Sequence, residues 1–549
     1  MKLKTTALLI SLFFSLMSWA VPFKGHKIVM AGPSPYATAI GQEIAEKGGN
    51  VVDVAVAVGI ALAITSPYYA SLGGGGFAMV KMPGQKPVAL DFREVAPSST
   101  HPKFYIDKSE NASREGGTAI AIPGIPAGYY ELHKKYGRVS WSELLSAPLR
   151  LAENGFRVSG DWVSFTQQNK DRFNSSGKKF FFKAKGREYL PGEILKQPQL
   201  AKAIKLLQKK KRDGFYKGEI AKDLVNSINK EGGTVSLKDF ENYQVRWLKP
   251  LSADFRGYKV YMMPPPSSGG IVMQTAFHLM DQLKPEEQKH LSVNETHLLG
   301  EILSRAYRGR ALLGDPDFYK NPLERILSKN YLSEMAHSVE IDKTRELEPL
   351  SEGIPNESNE TTHFSVLDKN GASVAMTITL NGRYGSGVVS RKYGIALNNE
   401  MDDFTTIPGK PNMFGLIQGN GNIVEPGKRP LSSMSPTLVE KGGKVVLSIG
   451  APGGPRIISS VIQVIYRVLV RDMNIDEAIQ APRVHHQFLP RKLYVDSNRW
   501  SPESLKGLRA KGHQVEESWM GRVYAAHRTE DQLLEAAYDA RGEGAASGY

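Results

Sequence analysis

Cysteine is absent from the 549 residues of this chain, which excludes disulfide bonds, thiolate metal sites and a cysteine nucleophile. Beyond the N-terminus, no apolar run approaches the roughly eighteen residues of a transmembrane helix. The chain also lacks a strong excess of one charge sign, since it has 70 Lys and Arg and 56 Asp and Glu, for a formal net charge of +14. The basic residues are dispersed and no nucleic-acid-binding motif accompanies them. We therefore expect no nucleic-acid partner.

The composition that is present is that of a globular protein, with 41% hydrophobic and 23% charged residues. At about 150 residues per domain, the length predicts three or four units or one large α/β unit. The densest basic run, residues 209–212, follows an amphipathic stretch at 199–207. This arrangement is typical of the exposed end of a helix.

The first 20 residues have the pattern of a secretion signal. Lys2 and Lys4 precede an apolar stretch, and residues 18–20 (SWA) place small side chains before a cleavage point. We expect cleavage after Ala20, a periplasmic or secreted protein and no stable membrane span. The alternative is an uncleaved amphiphilic anchor.

Hydrophobic periodicity gives a coarse order of elements. Residues 42–65 are helix-rich and end at Pro67, residues 77–81 and 85–92 are predicted strands, and helices dominate from 125 to 240. Four glycines at 73–76 lack the lysine and spacing of a phosphate-binding loop, and indicate a close backbone approach near a site. Residues 263–270 (MPPPSSGG) predict a stiff loop before another helix.

The most informative junction lies at residue 361. Residues 340–360 are polar and acidic, typical of a surface segment or processing site. Two predicted strands follow at once, residues 361–366 and 373–379, around a Lys369-Asn370-Gly371 turn.

A threonine that heads a strand after a cleavable segment suggests a nucleophile. If the Glu360–Thr361 bond is cut, Thr361 carries a hydroxyl and an α-amine whose pKa is roughly 7.7–8.0. The amine can then take the hydroxyl proton as Thr361 attacks a carbonyl. Before cleavage, the same hydroxyl can attack the preceding carbonyl in an N-to-O acyl shift. The alternative is ordinary packing of threonine in a strand.

Longer motifs favour the nucleophile. In chain order they are DFRE (91–94), PPPSSGG (264–270), TTHFS (361–365), LNNEMDDF (397–404), RPLSSMSPT (429–437), GAPGG (450–454) and GAASGY (544–549). With these motifs the chain resembles the γ-glutamyltransferase (glutathione hydrolase) family over nearly its whole length after the signal segment. The resemblance implies an α+β fold, a four-layer αββα sandwich of the N-terminal-nucleophile hydrolase type.

The resemblance also implies processing. Autocatalytic cleavage would give a large subunit, residues 21–360, and a small subunit, residues 361–549, which form one core as a heterodimer. The expected reaction is hydrolysis and transpeptidation of glutathione and related γ-glutamyl compounds, with water or an amino acid or dipeptide as acceptor. No cofactor or metal is implied, and His485-His486 is interpreted as structural.

Site residues follow from the same motifs. Thr361 is the expected nucleophile and Thr379 the residue that orients its amine, ranked above Thr377. Gly453 and Gly454 match the oxyanion-hole position, where backbone N–H groups need an unobstructed approach. Donor binding is assigned to six side chains: Arg93, Ser432 and Ser433 for the α-carboxylate, and Asp403, Glu400 and Asn381 for the α-ammonium.

Several alternatives remain open at the level of sequence. Arg93 could form a surface ion pair with Glu94, and Asp402 is left structural. Glu400 stands where Gln is common in the family, and Phe414, in a lid-like segment at 408–421, stands where Tyr is common. The rival functions are a glutaryl or cephalosporin acylase, which would not need Asp403, and an inactive periplasmic binding protein.

Overall fold

The computed structural model describes residues 21–350, 361–406 and 419–549. The expected signal segment, Glu360 at the expected cleavage site and Phe414 lie outside the described residues. Within the described ranges, no helix is both long enough and apolar enough to cross a membrane.

Nineteen strands form within the described residues. Their bounds are β1 Phe23–Gly25, β2 Ile28–Gly32, β3 Gly75–Lys81, β4 Val88–Phe92, β5 Phe156–Arg157, β6 Ile194–Leu195, β7 Arg246–Leu248, β8 Leu251–Phe255, β9 Tyr258–Met262, β10 Thr361–Asp368, β11 Ser373–Thr379, β12 Thr437–Lys441, β13 Lys444–Gly450, β14 Val484–His485, β15 Leu493–Asp496, β16 Val515–Ser518, β17 Tyr524–Arg528, β18 Leu534–Tyr538 and β19 Ala545–Gly548.

Eighteen α-helices accompany the strands in the same described ranges. They are α1 Pro35–Glu46, α2 Val51–Thr65, α3 Ile125–Tyr136, α4 Trp141–Leu144, α5 Ser146–Asn154, α6 Gly160–Gln168, α7 Ser175–Phe181, α8 Pro198–Lys210, α9 Asp213–Tyr216, α10 Glu219–Lys230, α11 Leu237–Asn242, α12 Gly269–Leu283, α13 Val293–Tyr307, α14 Leu323–Ile326, α15 Lys329–His337, α16 Arg456–Val470, α17 Ile475–Gln480 and α18 Pro502–Ala510.

Two seven-stranded sheets make the centre of the molecule. The first sheet has the strand order β1-β18-β17-β13-β12-β9-β8, and the second has the order β19-β2-β10-β11-β3-β4-β7. They pack face to face through contacts of β10 with β13 and β17. Helices α1 and α2 cover the second sheet, while α12 and α16 cover the first. The predicted four-layer αββα sandwich is confirmed.

Helix α2 shows why the outer helical layers pack against the sheets. Its sequence, VVDVAVAVGIALAIT, is apolar on every side, and all its residues are buried; such a helix is stable only inside a core. The side chain of Asn50 caps its first turn by accepting from the N–H groups of Val52 and Asp53. The predicted helical region at 42–65 is thus two helices, separated at residues 47–50.

Other predicted elements are confirmed. Strands β3 and β4 match the two expected after the glycine run, and α8 ends in the basic run at Lys210. Strands β10 and β11 form the expected hairpin, with Thr361 opposite Thr379 and Leu367 opposite Ser373. This hairpin lies in the middle of the second sheet, so its first residue reaches the interior of the sandwich.

Candidate active site

Thr361 opens β10 at the end of the hairpin, opposite Thr379 on β11. Its Oγ1 donates a hydrogen bond to Oγ1 of Thr379 at 3.4 Å, and its residue is 7% exposed. Because side chains alternate along a strand, Thr361 shares its face with His363 and Ser365. That face is turned to the first sheet, since Ser365 Oγ donates to the carbonyl of Tyr524 on β17.

Thr377, two residues before Thr379, bonds elsewhere. Its Oγ1 lies 2.8 Å from Nδ1 of His363, whose Nε2 lies 2.9 Å from Ser365 Oγ. Burial lowers the pKa of His363 to about 3, so the ring is neutral. Thr379, rather than Thr377, therefore contacts the candidate nucleophile.

Asn381 fixes the turn that follows β11. Its N–H donates to Thr379 Oγ1 at 2.8 Å, and its Nδ2 donates to the carbonyl of Asn399 at 3.0 Å. Its φ of 71° lies in the left-handed region, which asparagine tolerates better than most residues. The turn thus links Thr379 to the segment that carries the acidic residues.

Arg93 follows β4 and lies among carboxylates. Its Nη1 is 2.7 Å from Glu400 Oε2, its Nη2 is 2.5 Å from Asp403 Oδ2, and Glu94 Oε2 is 3.5 Å from Nη1. The side chain is 1% exposed, so the ion pair with Glu94 that the sequence left open is present, but it is buried and not at the surface. Burial alone would lower the pKa of Arg93, but the attraction of Glu400, Asp403 and Glu94 raises it above its ordinary value.

The carboxylates around Arg93 outnumber it. Glu94 and Glu400 are fully buried, and burial raises the pKa of both although Arg93 opposes that effect. Asp403 adds to the rise through like-charge repulsion. A cationic group placed between these side chains would relieve that repulsion, which suits the α-ammonium of an amino acid.

The serines and glycines border the same space. Ser432 donates its N–H to the carbonyl of Pro266, and its own carbonyl accepts from the N–H of Ser268, so the proline-rich loop holds the serine pair in place. Gly453 and Gly454 have φ values of 130° and 56°, a region that favours glycine. They lie just before α16, where N–H groups point outward and an anion is favoured.

A small cavity joins these groups. Its lining consists of Arg93, Thr361, Thr379, Asn381, Glu400, Asp403, Ser432, Ser433, Met434, Gly454 and Ile457. All the predicted site residues except Gly453, the neighbour of Gly454, therefore line one space. A larger surface groove lies beside Tyr258 and His527, and none of the predicted residues lines it.

The sequence reasoning missed some contributors. Met434 and Ile457 line the cavity, and Arg310 donates from Nε to Ser433 Oγ at 3.4 Å. Met434 could have been found as the residue after the serine pair. Arg310 carries no local signal, because it is 123 residues away from Ser433 in the chain.

Asp402 and the pair His485 and His486, which the sequence analysis interpreted as structural, lie as follows. Asp402 accepts a hydrogen bond from Ser113 Oγ and does not line the cavity. His485 and His486 are buried, and His485 contacts Ser459 and Gln487. Among the described residues, no group of three or more His, Asp or Glu side chains is arranged to hold a metal ion.

Comparisons with known proteins agree with this geometry. The family profile described as Gamma-glutamyltranspeptidase matches residues 37–549. The glutathione hydrolase proenzymes of Pseudomonas sp. (strain A14) and Escherichia coli (strain K12) are each 39% identical, over 93% and 90% of this chain and 90% and 87% of theirs.

Solved structures show the same relationship. The gamma-glutamyltranspeptidase of Helicobacter pylori is 33% identical with a TM-score of 0.56, covering 58% of this chain and 93% of that one. The cephalosporin acylase of Bacillus halodurans has a TM-score of 0.86 over 99% of both chains at 23% identity, which is a likeness of fold.

Proposed function

We propose that this chain works through a γ-glutamyl ester on Thr361. It belongs to the gamma-glutamyltranspeptidase family and is a γ-glutamyltransferase and glutathione hydrolase. The observation that carries the proposal is the position of Thr361, which shares one small cavity with Arg93, Glu400 and Asp403. A hydroxyl nucleophile therefore lies beside groups that fit the charged end of an amino acid.

The first chemical step is acylation. After cleavage of the Glu360–Thr361 bond, the α-amine of Thr361 accepts the proton of Oγ1 while Oγ1 attacks the γ-carbonyl carbon. The N–H groups of Gly453 and Gly454 stabilise the oxyanion. Collapse of this tetrahedral species breaks the amide bond, and the departing amine takes the proton from the Thr361 ammonium.

The second step resolves the ester. Water, or the amine of an amino acid or dipeptide, loses a proton to the Thr361 amine and attacks the ester carbonyl. The products are glutamate or a new γ-glutamyl amide, together with free Thr361. One nucleophile thus serves both hydrolysis and transfer.

Donor recognition follows from charge. The α-carboxylate binds Arg93, Ser432 and Ser433, and the α-ammonium binds Asp403 and Glu400 with Asn381 nearby. A glutaryl or cephalosporin side chain lacks the ammonium and would leave the acidic residues without a cationic partner. The acidic excess around Arg93 supports glutamyl donors over the acylase alternative, whose structural likeness concerns the fold alone.

Maturation and location complete the proposal. The chain is a precursor that cleaves itself before Thr361 into subunits of residues 21–360 and 361–549, and these remain together as a heterodimer. Its first 20 residues direct export to the periplasm or the medium. Self-cleavage distinguishes an active enzyme from an inactive binding protein on the same scaffold.

One experiment tests the nucleophile. Purified wild-type protein is expected to give two bands on a denaturing gel, with Thr361 at the N-terminus of the smaller one, and to release amine from L-γ-glutamyl-4-nitroanilide. Glycylglycine should divert the product to a γ-glutamyl dipeptide. Thr361→Ala should remain one band and be inactive, because no hydroxyl can attack either carbonyl.

Thr362→Ala is the matched control. Thr362 is also buried in the same strand, 1% exposed against 7% for Thr361, but points to the opposite face of the sheet. This variant should therefore still cleave itself and turn over the donor. Cleavage of Thr361→Ala at the same bond, without added protease, would contradict the proposal.

A further inference from the structure

Arg310 is a buried cation directly behind the cavity wall. It follows α13 and is 2% exposed, and its Nε donates to Ser433 Oγ at 3.4 Å. Ser433 lines the cavity together with Arg93 and Asp403. The serine hydroxyl therefore lies between a guanidinium group and the space that receives the donor.

The guanidinium keeps its charge at this position. Burial lowers the pKa of Arg310 to about 10, although the carboxylate of Asp403 attracts its positive charge and opposes the shift. A value near 10 leaves the group protonated at neutral pH. Moving a cation out of water costs free energy unless polar groups bind it, and Ser433 is one of the groups that bind Arg310.

The hydroxyl of Ser433 has a limited set of bonds. It carries one hydrogen and two acceptor lone pairs, and one lone pair receives the Nε–H of Arg310. A hydroxyl that accepts from a cation becomes a better donor, because hydrogen bonds in a chain polarise one another. An anion in the cavity is the acceptor that such a donor favours.

Arg93 shares its positive charge among several carboxylates. It forms ion pairs with Glu400 and Asp403, and Glu94 lies at 3.5 Å. The α-ammonium of a donor would face these acidic residues. A second cation beside the subsite would add to the attraction that Arg93 exerts on the α-carboxylate.

We propose that Arg310 is a positioning residue of the α-carboxylate subsite: it holds Ser433 in place, and its charge polarises the Ser433 hydroxyl that donates to the bound carboxylate. The inference rests on the proposed function, since it takes a γ-glutamyl donor as the ligand. It gives Arg310 a role in donor specificity, whereas a purely structural arginine would only bind the segment after α13 to Ser433.

The test compares two donors that differ in the carboxylate alone. One is L-γ-glutamyl-4-nitroanilide, and the other is 4-aminobutanoyl-4-nitroanilide, which keeps the amine and lacks the α-carboxylate. Arg310→Met should raise KM for the glutamyl donor at least about tenfold, the size of one charge-assisted hydrogen bond. The kcat for that donor and the kcat/KM for the aminobutanoyl donor should change less than about threefold.

Two further variants complete the test. Arg310→Lys keeps the charge and should raise KM for the glutamyl donor less than Arg310→Met does. This variant carries the comparison if the methionine variant fails to mature. Ser433→Ala should raise the same KM, and adding Arg310→Met to it should have less than its separate effect, because the two residues act as one unit.

Arg305→Met is the matched control. Arg305 is as deeply buried and also donates from Nε to a serine, Ser338, at 3.1 Å, but Ser338 does not line the cavity. This variant can lose stability without changing the ratio of the two donors. If Arg310→Met, or the lysine variant in its place, lowers kcat/KM equally for both donors, or leaves KM for the glutamyl donor unchanged, the inference is wrong.

The proposed function and this inference fail separately. A wild-type enzyme that does not turn over the glutamyl donor overturns the proposed function. A wild-type enzyme that does so, with a donor ratio insensitive to residue 310, overturns the role of Arg310 alone.

Discussion

At the scale of single residues, two threonines on one strand have different partners. Thr379 contacts Thr361 at 3.4 Å between hydroxyl oxygens and accepts from the N–H of Asn381. Thr377 lies 2.8 Å from His363. The same residue type on the same face therefore contacts the candidate nucleophile in one case and a buried histidine in the other.

Replacing these threonines with valine separates the two roles. Thr379→Val keeps the branched shape but removes the hydroxyl that contacts Oγ1 of Thr361, so kcat for L-γ-glutamyl-4-nitroanilide should fall by about 10²-fold, typical of a lost acid–base contact. Thr379→Ser should recover most of the rate. Thr377→Val should lower stability while changing kcat less than about fivefold; equal loss of kcat in the two valine variants would contradict this assignment.

We propose that Asp403 decides which donor is preferred. Asp403→Asn removes the charge that faces the α-ammonium and should weaken transition-state binding of the glutamyl anilide by about 2–5 kcal/mol. The glutaryl anilide, which has no amine, should be affected far less. Asp402→Asn is the control, since Asp402 bonds Ser113 outside the cavity. A wild-type preference for the glutaryl compound would favour the acylase instead.

At the scale of elements, a buried ion cluster joins the strands behind the cavity. Arg246 on β7 lies 2.7 Å from both Asp91 on β4 and Asp315, and Arg429 also pairs with Asp91. Burial would raise the pKa of Asp91, but Arg429 and Arg246 outweigh it and lower that pKa below its ordinary value. The cluster thus holds the end of β4, and with it Arg93, next to the segment that carries Ser432 and Ser433.

Arg246→Met should destabilise the fold by about 3 kcal/mol, because it leaves two buried carboxylates short of a partner. A carboxylate with a lowered folded-state pKa contributes stability above its unfolded pKa, and that contribution disappears as the pH falls through the folded value. The Tm difference from wild type should therefore be full at pH 7 and shrink below about pH 4. Lys205→Met, which breaks the exposed pair with Glu153, should change Tm little at either pH. If the Tm difference between Arg246→Met and wild type is as large at pH 3 as at pH 7, this electrostatic account is wrong.

At the scale of the whole molecule, the two segments on either side of Thr361 share both sheets. The second sheet mixes strands of both segments: β10 and β11 from the C-terminal segment lie between β2 and β3 from the N-terminal one, and β19 pairs with the other edge of β2. In the first sheet, β12, β13, β17 and β18 lie between β1 and the pair β8 and β9. Cleavage between the segments leaves every one of these strand pairings in place.

We therefore expect the matured fragments to stay together. Gel filtration in native buffer should give one species containing both bands in equal amounts. Heating should give one cooperative loss of both seven-stranded sheets, because neither fragment contains all the strands of either one. Separation should need a denaturant. Fragments that elute apart in native buffer would show that the shared sheets do not hold the molecule together.

The hairpin and the helices could be predicted from the sequence because their signals are local, whereas the site residues were assigned from motifs that resemble a known family. Alternation with a Lys369-Asn370-Gly371 turn is enough to specify a β-hairpin, and DFRE or RPLSSMSPT is long enough to identify a family. Such patterns determine which face of an element a side chain occupies. They contain no information on what lies across from that face.

Only the tertiary structure decided the partners. It buried Arg93 between Glu400 and Asp403 and placed Arg310 behind Ser433. These contacts depend on strand order and on packing between residues up to several hundred positions apart. The charges and pKa values of the site depend on burial, which is a property of the folded molecule and not of any segment.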